Sequence, residues 1–196
     1  MQSFYINKKT TNFYLSTFLT VFIYSSICIT GITHAQTIII NEIMASNGST
    51  ASDEDGEFED WIELFNTGNQ PVSLLGFGLS DDYDNPFRWI FPDTTIQPGE
   101  FFLVWASGKN RAFPGRELHT NFSIAGDGEE IILTRPDGEL ADELQPTPIP
   151  RDISYGRKPD GNDDWFFFEE PTPGAPNITP AFYGQLVPPV FSQEGG

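Results

Sequence analysis

The sequence predicts an all-β fold, a sandwich or barrel built from one set of short strands. Three observations carry that prediction. Apolar runs are short and rich in β-branched and aromatic residues, Gly and Pro clusters separate them, and no segment holds a helical period between caps.

Residues 37–43 open the set as a β-branched strand. An acidic loop leads to Asp60–Asn66, where a period of two places Trp61, Glu63 and Phe65 on one face and Ile62 and Leu64 on the core face. Glu63 then stands between two aromatics, where burial without a partner is costly. It is expected to accept backbone hydrogen bonds or to pair with a cation, Arg88 or Arg157. Asn41 and Glu42 raise the same question one strand away. The favoured reading is that Asn41, Glu63 and Asn66 fix loops by bonding backbone.

Residues 88–91 read as an aromatic strand. Gln97-Pro98-Gly99-Glu100 reads as a type II turn, with Gly where φ must be positive. It feeds Phe101–Ala106, a nearly continuous apolar run that fits a strand buried on both faces. Residues 130–134 and Leu140–Leu144 flank Arg135-Pro136-Asp137-Gly138, a type I turn. Residues 153–156 and Trp165–Phe168 flank the similar Lys158-Pro159-Asp160-Gly161. Pro171, Pro173 and Pro176 then mark an exit that no central strand accommodates.

The ends of the chain carry different signals. Lys8 and Lys9, an apolar run and the small residues before Gln36 have the layout of a secretory signal peptide at residues 1–35. The expected product is secreted or displayed at the cell surface, with no membrane insertion after cleavage. Removing that segment, which holds two lysines and no Asp or Glu, takes the formal charge from −18 to −20. Cys28 and His34 leave with it, so no cysteine and one histidine, His119, remain. A chain this acidic repels phosphate backbones and anionic membrane surfaces, which argues against nucleic acid as a partner. The domain is expected to span residues 36–177, with 178–196 a linker or the start of a truncated second domain.

In their order along the chain, the motifs at residues 40–47, 60–66, 71–81, 89–92 and 96–106 resemble those of a lamin-tail domain. So do His119-Thr120-Asn121-Phe122, residues 128–133, Pro136-Asp137-Gly138, residues 154–157 and Pro171-Thr172-Pro173-Gly174. The resemblance implies an immunoglobulin-like β-sandwich of the kind found in nuclear lamins and in exported bacterial proteins. Val187-Pro188-Pro189-Val190-Phe191-Ser192-Gln193-Glu194-Gly195-Gly196 resembles the opening strand of the small C-terminal domain of chitobiase-type β-hexosaminidases.

Reactive constellations are sparse. His119 alone supplies neither a nucleophile–base pair nor a zinc set, and its place before Asn121 predicts a surface or capping role. Two acidic loops, one with Asp53, Asp55 and Asp60 and one with Asp81, Asp82 and Asp84, read first as solvated charge and second as calcium ligands. The first fails the EF-hand register, because Ala51 and Ile62 fall at its first and twelfth positions. No cofactor is required by any motif. Tyr83 and Phe87, with Phe113, Tyr155 and Phe166–Phe168, exceed what one core face absorbs and mark a candidate binding surface for a protein or glycan. The expected function is a non-catalytic interaction or display module of an exported, multidomain protein. A calcium-stabilised spacer and the front of a carboxylate-dependent hydrolase are the alternatives.

Overall fold

The computed structural model describes residues 37–184. The expected export segment and the strand opening at Val187 lie outside them. Thirteen strands follow one another in the described chain. They are β1 (Ile38–Met44), β2 (Asp60–Asn66), β3 (Val72–Ser73), β4 (Gly78–Ser80), β5 (Trp89–Ile90), β6 (Thr95–Ile96) and β7 (Phe101–Ala106), then β8 (Leu118–His119), β9 (Ile131–Thr134), β10 (Leu140–Leu144), β11 (Ser154–Arg157), β12 (Trp165–Phe168) and β13 (Ala181–Phe182). Seven of them form one sheet in the order β13-β12-β11-β1-β2-β7-β8, and four form a second in the order β10-β9-β4-β5. Strands β3 and β6 make a separate ribbon.

The strands read from the sequence occur at their expected places. Five short strands (β3, β4, β6, β8 and β13) were not expected. Strand β13 matters for the boundary: it pairs with β12 through Phe167–Phe182 and Phe168–Ala181, so the large sheet continues past Asn177. The first Pro-Asp-Gly turn closes as expected, Gly138 donating to the Arg135 carbonyl at 2.9 Å. The second closes one residue late, Asn162 donating to the Pro159 carbonyl at 3.1 Å, while the Gly161 amide is directed to Asn41 Oδ1 at 3.4 Å.

The core lies between the sheets. Ile38, Ile40 and Ile43 of β1, Ile62 and Leu64 of β2 and Val104 of β7 pack with Leu79, Trp89, Ile131 and Leu133 of the smaller sheet. That confirms the face assigned to Ile62 and Leu64. A buried ion pair crosses this core, Arg157 Nη2 lying 3.0 Å from Asp142 Oδ2. Arg157 is thus committed to Asp142 and to the Ile40 carbonyl, not to Glu63.

Strand β1 carries a bulge. Ile40 pairs with Leu64 while Glu42 pairs with Glu63, so Asn41 is one residue more than β2 matches. The extra residue allows Ile40 and Ile43 to share the core face at a spacing of three, and turns both Asn41 and Glu42 outward. The outer face of the large sheet is itself covered. Met44, Trp61 and Trp105 form a second apolar cluster there, with Ala51 and Leu103 packed against it.

Candidate functional site

The outward polar row of the large sheet is a buried carboxyl network. Glu42 and Glu63 are neighbours across β1 and β2, and each is 0% exposed. The chain segment at residues 171–177 lies over them. Thr172-Pro173-Gly174-Ala175 is a type II turn, Gly174 having φ +79° and Ala175 donating to the Thr172 carbonyl at 2.9 Å. That geometry leaves the Gly174 amide pointing out of the turn, and it donates to Glu63 Oε2 at 2.6 Å. Thr172 donates its amide to Glu42 Oε1 at 3.4 Å, and Ser154 Oγ donates to the same oxygen.

Asn41 and Asn177 tie the network together. Asn41 Nδ2 reaches Glu63 Oε1 at 3.2 Å and Asp160 Oδ1 at 3.0 Å. Asn177 donates its amide to Asp160 Oδ1 and its Nδ2 to the Arg157 carbonyl at 2.9 Å. Burial pushes the Glu42 carboxyl up to about 7, against the hydrogen bonds from Ser154 and Thr172. Burial, and then the neighbouring Glu42, push Glu63 up to about 8. Glu63 is therefore satisfied by backbone and an amide, as one of the two expected solutions required, and not by Arg88.

A second network lies at the end of the sheet where β2 begins and β7 ends. Asp53 folds the acidic loop on itself, its Oδ1 accepting the Asp55 and Glu57 amides at 2.9 Å each. Lys109 places its ammonium among Asp53, Asp55, Glu57 and Glu59, with Glu57 at 2.7 Å and Glu59 at 3.2 Å. Burial works against the charge on Asp53, but the ammonium and the amides outweigh it and hold the carboxyl below its ordinary value. Arg111 continues the network to Asp55 at 2.6 Å, and Arg116 to Glu54 at 3.0 Å. One ligand oxygen from each of Asp53, Glu57 and Glu59 lies within 4.8 Å of the others, a spacing that suits a metal ion. The ammonium stands among the same carboxylates.

The six aspartates read as calcium candidates are spread over separate places. Asp53 and Asp55 meet at Lys109. Asp60 turns away to accept the Asn47 amide at 3.1 Å, and burial raises its carboxyl to about 6. Asp81 pairs with Arg88, Asp82 accepts the Asp84 amide at 2.9 Å, and Asp84 is exposed. The aromatic candidates divide similarly. Tyr83 is 47% exposed and donates to Glu143 on β10 at 2.7 Å, while Phe87 packs over Gly78. The pair holds the 81–88 loop on the smaller sheet. Tyr155 and Phe167 pack against the main core and Phe168 is buried, whereas Phe113 is 67% exposed.

His119 corrects the expectation of a surface role. It lies in β8, 0% exposed, with Nδ1 2.9 Å from Ser107 Oγ and its ring against Trp105. Parallel pairing with β7, Trp105 beside His119, draws it inside. Burial lowers its pKa below the ordinary value, so the imidazole stays neutral.

Sequence reasoning missed Glu57, Glu59, Lys109 and Arg111 in one network and Asp160, Thr172 and Asn177 in the other. The first was readable only through strand pairing: Asp60 opposite Ala106 brings residues 53–59 against residues 109–116. Between those segments opens a cleft of about 370 Å³ lined by Glu54, Arg111, Phe113, Arg116 and Glu117.

Against known proteins, no curated protein matches the chain. The family model described as Lamin Tail Domain matches residues 33–148, more than half of the 196 residues. The match spans β1 to β10, and β11 and β12 complete the same large sheet beyond it. Two sheets in the expected motif order, together with that match, place the chain in the lamin tail domain family, as an immunoglobulin-like β-sandwich.

Proposed function

We propose that the chain is a non-catalytic interaction module of an exported, multidomain protein, and that it takes a protein partner at the 111–117 cleft. One observation carries the reading. Phe113, two-thirds exposed, forms a wall of that cleft beside Arg111 and Arg116, whose guanidiniums are held by the Glu54 and Asp55 carboxylates. An exposed aromatic beside arginines held in place is the residue composition that dominates protein interface cores. Lamin tail domains are in general protein-interaction modules without enzymatic activity, which supports the same reading.

The carboxyls with raised pKa values point the same way. Glu42 and Glu63 hold chain at residues 172–174, where a hydrolase would need them facing a substrate. The calcium-stabilised alternative has to reckon with Lys109 as the resident cation of the acidic loop.

The test is binding by the full-length chain on a glycan array and, through crosslinking, to exported proteins, each read against Phe113→Ala and Arg116→Ala. Both side chains are exposed, so the fold is expected to survive. A bound protein lost in either variant supports the reading. Glycan binding at the cleft would replace the partner class. Substrate turnover lost in a carboxyl variant that keeps its fold would overturn the reading altogether.

A further inference from the structure

We propose that residues 171–177 form a proton-operated strap, seated on β1, β2 and β11 while the Glu42–Glu63 pair retains a proton and released when both carboxyls are ionised.

The hydrogen bonds of the strap accommodate that proton. Thr172 Oγ1 has one hydrogen, and Asn177 Oδ1 at 2.8 Å is its nearer acceptor. Glu42 Oε2, 3.3 Å from the same Oγ1, is the longer contact. With a proton on Oε2 that contact runs from Glu42 to Thr172 and on to Asn177, since a hydroxyl both accepts and donates. The other Glu42 oxygen accepts from Ser154 Oγ and the Thr172 amide, as a neutral carboxyl also does.

The charged surroundings make the proton decisive. From β1, β2 and the 158–161 turn the groups facing one another are Glu42, Glu63 and Asp160, all acids. The nearest cations are committed elsewhere. Arg157 pairs with Asp142 and Asp163, and Lys158 donates to the Ile178 and Thr179 carbonyls. On its remaining flank Glu63 meets Leu103 of β7, which is uncharged. Two ionised glutamates side by side and 0% exposed, with Asp160 close by, have no internal countercharge. Lifting the strap gives them water. What the strap uncovers is a polar row of Asn41, Glu42 and Glu63 in the middle of the large sheet. Burial pushes both glutamates toward neutrality, so the switch falls near neutral to mildly alkaline pH.

The test is hydrogen exchange of the Thr172 and Gly174 amides in the full-length chain, corrected for the intrinsic rise of exchange with pH. Between about pH 6 and about pH 9, strap protection in the wild type is expected to fall about tenfold or more, since each unit of coupling is a factor of ten. Amides of β2 and β7 are expected to hold theirs. Glu42→Gln imitates the protonated acid, its carbonyl accepting where Oε1 does and its NH2 donating to Thr172 Oγ1. That variant is expected to keep the strap protected at the higher pH. Wild-type strap protection that is constant across the range overturns the proposal. So does equal loss in the strap and in the central strands, or parallel loss in wild type and Glu42→Gln.

Discussion

A Cβ at Gly156 would stand 2.7 Å from Asn177 Nδ2, 2.9 Å from Glu42 Cγ and 3.0 Å from the Asn41 carbonyl. The glycine is a clearance for the carboxyl network, since two of those neighbours are fixed by buried hydrogen bonds. Gly156→Ala is expected to cost about 1–3 kcal/mol in urea unfolding, the range for overpacking a tight site. A variant as stable as wild type would mean that the network can shift. Lys109 is the other residue on which much depends. Asp53 is 0% exposed at its side chain, and Lys109→Met leaves that carboxylate short of a partner, at about 1–3 kcal/mol. The folded-state pKa of Asp53 is depressed, so its contribution is present above its unfolded value of 3.8 and lost as pH falls below it. The gap between variant and wild type should therefore narrow in acid. Millimolar calcium should raise the melting temperature of Lys109→Met and leave wild type unchanged, because only the variant frees the carboxylates. A wild-type response to calcium would show the ammonium to be displaceable. Neither residue was legible as functional. A glycine inside a strand and a lysine in a loop acquire these roles only when distant segments are brought together.

At the scale of elements, legibility follows length. Asp60–Asn66, Phe101–Ala106, Leu140–Leu144 and Trp165–Phe168 were readable to the residue because a period of two needs several positions to show itself. Two-residue strands such as β3 and β8 have no period, and tertiary pairing alone makes them strands. The segment at residues 171–177 shows the same limit differently. Its prolines correctly excluded a central strand, yet Pro173 and Gly174 also build the turn that aims an amide at Glu63. Composition identifies a turn, but the target of its free amide depends on the strand beneath it. The bulge at Asn41 was hidden for a related reason. Three isoleucines and a fourth after Asn41 and Glu42 read as a continuous strand, and only the partner's register shows which residue is extra.

For the whole molecule, the buried acids set a pH dependence with a definite sign. Glu42 and Glu63 rise from 4.5 to about 7 and about 8, and Asp60 from 3.8 to about 6. Between the unfolded and folded values the folded chain holds more protons than the unfolded one, so stability falls as pH rises through that window. His119 acts oppositely: neutral in the fold, it loses stability as pH drops below its ordinary 6.5, where the unfolded imidazole takes a proton. Three carboxyls outnumber one imidazole. The urea midpoint, followed by tryptophan fluorescence, is expected to decline from about pH 5 to about pH 8, with a shallower slope in Glu42→Gln. A midpoint that climbs over that interval would contradict the network's burial. The sandwich itself was legible at this scale, because alternation and turn chemistry determine layers. The position of β11 between β1 and β12 was not, since strand order is a property of closure.

The bulge also gives β1 one residue of slack in its frame. Ile40 and Ile43 share the core face across two intervening residues, and removing Asn41 leaves them two apart, a spacing that a regular strand also puts on one face. That deletion keeps the isoleucines in the core and removes the hydrogen bonds from Asn41 to Glu63 and Asp160. Removing Ile39 instead brings Ile38 next to Ile40 and turns it out of the core. Single deletions, read as the yield of folded protein, should therefore favour the chain lacking Asn41 over the chain lacking Ile39. The strand's frame can spare this asparagine, and the carboxyl network cannot.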